Sequence, residues 1–347
     1  MGHQMLHLLL SIVSVVATDS LPSSHEETNA QILEKNVRDD PVQNETLCPS
    51  MFMPVGNTCL SFVVLVQDIR AASKQLCHSL GGELVAIKTA NKLQNIMEEI
   101  ERRELTHTDF WIDGTFDGTS WNFSNGEPVP LGTPFWYATE SEFRPNNDTA
   151  ASCASITPDS GFLTKDVSCE EKYSPICEHE PIALNQPKEG QETVKDQESG
   201  NISCPPFFVD LSGCCIAFIT WFSASWTTAK ETCVLFAPEA SLFLPTDIEL
   251  LRTIYLYLHE EEIDGSSFWI AATDEGHEGV WKDTEGNIIE IKAPFWGNSD
   301  KEGFTLEPDG NSTENCLALT AEGQHYFRDR DCSLSYNLLC ISPSFIN

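Results

Sequence analysis

Three carboxylates crowd the segment TLEPDGNSTENC, residues 305–316: Glu307 and Asp309 flank Pro308, and Glu314 follows. A fourth, Asp329, stands three residues before Cys332. Carboxylates at this density suit a hard cation, which takes roughly six to eight oxygen ligands. The plainer reading is a solvated acidic turn in an acidic chain. Arg328 precedes Asp329, and a guanidinium has no lone pair to give a metal and opposes one by its charge. Other chemistry finds no support. HEEEID from His259 lacks the second histidine of a zinc-protease helix, no GxSxG or phosphate-binding loop occurs, and the histidines are scattered without paired metal spacing. A binding protein is expected, not an enzyme.

The balance of 53 acidic to 20 basic residues disfavours nucleic acid and anionic membrane surfaces as partners. The apolar run Leu6–Ala17 is too short for a membrane span. Val15 and Ala17 suit cleavage before Thr18, so residues 1–17 read as a signal peptide and 18–47 as a polar segment. No later run reaches membrane length, and a secreted protein without a membrane anchor is expected. Thirteen cysteines fit an oxidising compartment. Asn-x-Ser/Thr acceptors for glycosylation stand at Asn44, Asn122, Asn147, Asn201 and Asn311.

The cysteine spacings show how such residues are positioned. Cys48, Cys59, Cys77, Cys153, Cys169 and Cys177 are separated by 11, 18, 76, 16 and 8 residues; Cys204, Cys215, Cys233, Cys316, Cys332 and Cys340 by 11, 18, 83, 16 and 8. Four of five steps coincide, so the chain is a tandem duplication of one disulfide-bonded module. CLSF and CIAF, FWIDG and FWIAA, and PFW and PFW repeat in the same order. The boundaries are 48–180 for the first copy, 181–203 for a polar linker and 204–342 for the second. In each copy a strand leads into a helix ending near the third cysteine. A second helix follows, with Leu93, Ile96, Met97 and Ile100 on one face in the first copy and TDIELLRTIYLYL as its counterpart in the second. Short segments broken by Gly, Asn, Asp and Pro then indicate strands and long loops. An α+β module results.

Both copies resemble C-type lectin-like domains. The resemblance rests on the six-cysteine framework, Trp111-Ile112 and Trp269-Ile270, the run FWIAATDEGHEGVWKDTEG, and the endings SCEEKYSPICE and DCSLSYNLLCI. It implies, for each domain, two helices, a small antiparallel sheet, a long loop region and three disulfides. The implied pairs are Cys48–Cys59, Cys77–Cys177 and Cys153–Cys169, then Cys204–Cys215, Cys233–Cys340 and Cys316–Cys332. Cys214 is left over, either as a buried thiol or as a disulfide bridge to a second chain. The arrangement of two domains behind a signal peptide resembles the secreted dual-domain lectins of arthropods.

In sugar-binding members of that family one calcium ion bridges protein and glycan. The resemblance therefore implies Glu307, Asp309, Glu314 and Asp329 as Ca2+ ligands in domain 2, and the same four together with Arg328, at a position where the family has Asn, as its carbohydrate-binding residues. It also implies a cis Pro308 and, from Glu307, a mannose-type ligand. In domain 1 the same loop reads Arg144-Pro145-Asn146, Ala151 holds the Glu position, and Lys165 precedes Asp166; no calcium is expected there. The expected function is recognition of glycans, such as microbial surface polysaccharide, in innate immunity, with domain 2 as the sugar site. The alternative is a calcium-independent protein-binding or adhesion module.

Overall fold

The computed structural model describes residues 47–147, 149–182, 202–300, 305–343 and 345–346. The expected signal peptide, nearly all of segment 18–47, most of the linker, Asn44, Asn201 and the Asn311 side chain lie outside the described residues.

Each copy of the repeat folds into helices packed on one curved sheet. In domain 1, α1 (Arg70–Ser79) and α2 (Ala90–Arg102) accompany a sheet ordered Met53–Val55, Thr58–Phe62, Ser174–His179, Phe110–Phe116, Cys153–Ile156 and Thr164–Val167. Domain 2 repeats this with α3 (Trp226–Thr232), α4 (Ile248–Glu260) and strands Val209–Leu211, Cys214–Ala224, Tyr336–Ser342, Phe268–Thr273, Cys316–Leu319 and Phe327–Arg330. Along both orders the neighbouring strands are antiparallel except one parallel pair, Phe110–Phe116 with Ser174–His179 and Phe268–Thr273 with Tyr336–Ser342. The disulfides join the six pairs that the resemblance implies. Cys214 remains a half-buried thiol.

Helix α2 starts where Thr89 accepts a hydrogen bond from the Lys92 amide at 3.2 Å, and α4 where Asp247 accepts one from the Leu250 amide at 2.9 Å. Leu93, Ile96 and Ile100 of α2 and Leu251, Ile254 and Leu258 of α4 are wholly buried, as their helical spacing requires. Trp111 and Trp269 are buried and donate through Nε1 to the carbonyls of Asp68 and Ala224 at 2.9 and 2.8 Å.

The two domains share one core. A single buried apolar cluster contains Phe135, Trp136 and Tyr137 of domain 1 and Phe295, Tyr326 and Phe327 of domain 2. The contact has the character of a pseudo-two-fold axis, because equivalent elements meet. Asn91 and Glu249, each the second residue of its helix, bond through the Asn91 amide and Glu249 Oε1 at 2.9 Å. Arg252 of α4 donates to the carbonyls of Leu131 and Thr133 at 2.7 and 2.8 Å. The Tyr326 hydroxyl donates to the Trp136 carbonyl at 2.7 Å. Tyr255 of α4 lies on Gly132, whose φ is +75° and where a Cβ would stand 2.2 Å from the phenol oxygen. Gly132→Ala combines a strained backbone with overpacking, which costs about 1–3 kcal/mol. We expect a lower unfolding temperature by calorimetry; an unchanged one would mean that Tyr255 does not occupy that position.

Candidate functional site

The acidic loop of domain 2 turns Glu307 inward while Leu306, Pro308, Ser312 and Thr313 stay exposed. It follows the short strand Thr305–Leu306, which pairs with Asn298–Ser299, and it packs against strand Phe327–Arg330. The Glu307–Pro308 peptide is cis, as are Arg144–Pro145, Thr133–Pro134 and Ala293–Pro294. The Asp309 and Gly310 amides donate to Asp329 Oδ1 and Oδ2 at 3.1 and 2.9 Å. Backbone donors thus hold the loop on Asp329. Glu307, Asp309 and Asp329 bring one carboxylate oxygen each within 4.8 Å of one another. Glu314, expected with them, is outside that group; its side chain lies over Gly310, where a Cβ would come within 2.4 Å of Oε2.

Two guanidiniums enter this corner. Arg328 has no solvent exposure, and its Nη1 donates to Glu307 Oε1 at 3.0 Å. Its Nη2 donates to the Asn298 carbonyl at 2.6 Å and to Ala138 of domain 1 at 3.5 Å. Arg330 lies 3.3 Å from the same Glu307 oxygen and is bonded to Glu140, a residue of the domain 1 loop. Glu140 also stands 3.6 Å from Arg328. Sequence reasoning singled out Arg328 but not Arg330 or Glu140.

Glu307 is only 3% exposed. Burial pushes its carboxyl up to about 9, its bond with the Asp329 side chain adds to this, and Arg330 and Arg328 oppose it. Burial therefore favours the protonated over the ionised carboxyl, against the pull of the two guanidiniums. Arg328 and Arg330 are paired with Glu307 and Glu140, and Asp300, Glu314 and Glu322 add negative charge around them.

This balance bears on calcium. The corner has oxygens to offer, and Glu307 Oε2 meets no donor. Calcium nevertheless needs ionised carboxylates and a shell of roughly six to eight oxygens. Here one Glu307 oxygen is held by two guanidiniums whose charges oppose a cation, burial disfavours the ionised carboxyl, and Glu314 lies outside the group of three carboxylates. In this arrangement the residues do not fit the ion.

Domain 1 reaches the same end with other residues. Asp166, its side chain fully buried, accepts from the Asn146 amide at 3.1 Å, as Asp329 does from Asp309. Arg144, at the position of Glu307, bonds Asp166 Oδ1 at 3.0 Å and Glu142 at 2.6 Å. Lys165 pairs with Asp159 at 2.9 Å and lies over the Tyr137 ring. Of the glycosylation positions in domain 1, Asn147 is exposed and Asn122 half-buried.

The Lectin C-type domain family matches residues 67–179 and 222–342. Human tetranectin is 27% identical over 127 residues, covering 37% of this chain and 58% of tetranectin. Mouse CD209 antigen-like protein A is 27% identical over 173 residues, covering 49% of this chain and 68% of that protein. The chain thus spans little more than half of the tetranectins it matches. Among solved structures, the mouse scavenger receptor C-type lectin carbohydrate-recognition domain is 26% identical, with 40% of this chain and 99% of that one covered and a TM-score of 0.33. The SPL-1–GlcNAc complex is 20% identical, with 38% and 94% covered and a TM-score of 0.33. With both halves of the sequence repeat matched and both folded on the same disulfide framework, the chain belongs to the C-type lectin domain family and carries that domain twice.

Proposed function

We propose that this chain is a secreted glycan-binding protein, suited to microbial surface polysaccharide in innate defence, whose recognition does not depend on calcium at either sugar loop. The observation that carries the reading is the filling of the domain 2 loop. It keeps Glu307, cis Pro308 and Asp309, but Arg328 and Arg330 hold the carboxyl that would bind the metal. Family membership supports the glycan class, and disulfides in both domains support an oxidising, extracellular setting. No helix among the described residues is long and apolar enough to cross a membrane.

The test is retention of the deglycosylated protein on immobilised mannose, galactose and N-acetylglucosamine, with calcium and with chelator. Retention that survives chelation is expected. Retention abolished by chelator would mean that calcium displaces Arg328, and retention on none would remove the glycan reading.

A second reading, calcium-independent protein binding, draws on one patch. Phe207, Trp221 and Leu235 of domain 2 are 67%, 63% and 79% exposed, and Trp221 touches Phe207 and Phe236 with ring centres 5.9 and 6.2 Å apart. Exposed apolar clusters of this kind mark contact surfaces.

A further inference from the structure

The turn that closes the contact between the domains has a histidine buried in it. Residues 320–326 join strand Cys316–Leu319 to strand Phe327–Arg330. Gln324 and His325 hold the turn in the left-handed region, with φ of +55° and +59°. Two successive left-handed residues without a glycine are strained, and such strain persists only where the surroundings fix it. Here both neighbours of His325 reach domain 1. The Thr133 hydroxyl donates to the Gln324 carbonyl, and the Tyr326 hydroxyl donates to the Trp136 carbonyl at 2.7 Å. The Gln324 side chain accepts from the Tyr255 hydroxyl at 3.3 Å, and Tyr255 is the residue seated on Gly132.

His325 itself is 1% exposed. Its Nε2 lies 3.0 Å from the Ser266 carbonyl, so in the neutral ring that nitrogen carries the hydrogen. Nδ1 is buried and meets no polar partner among the described residues. A second proton would put a charge and an unpaired donor inside the joint. The groups facing the ring do not offer that donor an acceptor. The Tyr255 ring centre is 6.5 Å away, His259 of the same helix packs on Tyr255 at 4.4 Å and pairs with Asp264 at 3.0 Å, and Glu322 belongs to the turn. Burial holds the imidazole below its ordinary value of 6.5 and His259 adds to this, while the Ser266 carbonyl, Asp264 and Glu322 pull the other way. The fold does not require a titratable ring here. Counting nine residues from Cys153 and from Cys316, the equivalent residue of domain 1 is Phe162, at φ +63° and packed against the same core.

We propose that His325 is an acid-sensitive lock on the contact between the domains. Neutral, it lets the turn close on the loop at Thr133–Trp136; protonated, it drives the turn open, and Gln324 and Tyr326 leave their domain 1 partners with it. An opened turn exposes the ring, which takes up a proton near 6.5, whereas the closed turn refuses it until lower pH. The closed state is therefore fully favoured above 6.5 and loses ground below it, by at most about tenfold in the opening equilibrium per pH unit. Glu307, whose carboxyl is raised, acts in the opposite sense and cannot produce a loss in acid.

Amide hydrogen exchange of the full chain in chelator, corrected for its intrinsic dependence on pH, reads the opening of each segment separately. Between pH 7.5 and 5.5 we expect peptides covering 131–137 and 320–327 to lose protection several-fold, while helix α1, which makes none of these contacts, keeps its own. His325→Phe copies the residue of domain 1 into this turn and should leave the joint equally protected at both pH values. His325→Gln retains a donor for Ser266 and takes up no proton; it should behave alike, and it decides if the phenylalanine variant misfolds. Wild-type protection that does not change with pH overturns the proposal. So does an equal loss in a folded variant, which would place the sensitive group elsewhere. Should neither variant fold, the onset of the wild-type loss decides, because a loss that does not begin near 6.5 is not that of this ring.

Discussion

Arg328→Ala should destabilise the folded chain by about 3–5 kcal/mol, because removing one partner of a buried ion pair strands the rest of the cluster. In a protein of this size that corresponds to an unfolding temperature lower by roughly 10 °C. The guanidinium is wholly buried, 3.0 Å from Glu307 Oε1 and 2.6 Å from the Asn298 carbonyl. Without it, the Glu307–Asp329 pair and Glu140 face Arg330 alone. Arg328→Asn should lose a similar amount in chelator, yet it differs from Arg328→Ala in one respect. It returns an oxygen ligand to the corner and removes the competing charge, so calcium should restore part of the loss, about 2.7 kcal/mol when the ion is at 100 times its dissociation constant. The wild type should show no such rise. Thermal unfolding of the three proteins with calcium and with chelator decides the matter. A wild-type unfolding temperature that climbs with calcium as steeply as that of Arg328→Asn would mean that the arginine does not stand in for the ion.

The duplication and the pattern of each helix were legible in the sequence because they depend on local spacing. Six cysteines at matched intervals and Leu93, Ile96 and Ile100 at helical steps carry that information within one copy. The site was legible only in its inventory. Glu307, Asp309, Asp329 and the opposing charge of Arg328 could all be named, but whether the arginine turned in or out could not. That choice is made by residues of the other domain. Glu140 reaches Arg330 across 190 positions, and the Ala138 carbonyl reaches Arg328 across the same separation. A glutamate in a loop of so acidic a chain carries no sequence signal. Arg330 had a faint one, an alternate position on the strand of Arg328. Arg144 was read as a lost ligand in domain 1; the structure gives it a positive task, the neutralisation of Asp166.

The raised pKa of Glu307 predicts how stability should vary with pH. Its carboxyl is raised from an ordinary value of 4.5 to about 9 in the folded chain. Between those limits the folded state holds a proton that the unfolded state has released. Stability must then fall as pH rises through that window and level off above the folded value, and it is fully retained below the unfolded value. The ceiling on the decline is about 1.4 kcal/mol per pH unit. Other groups also titrate, so the informative quantity is the difference between wild type and Glu307→Gln, which keeps the shape and a donor toward Asp329 but carries no titratable proton. Denaturant unfolding from pH 5 to 8.5 in chelator should give a wild-type curve that drops relative to the variant at every step. Parallel curves would show that Glu307 is ionised beneath the two guanidiniums throughout. The oxygen corner would then hold an ionised carboxyl for a cation to use after all.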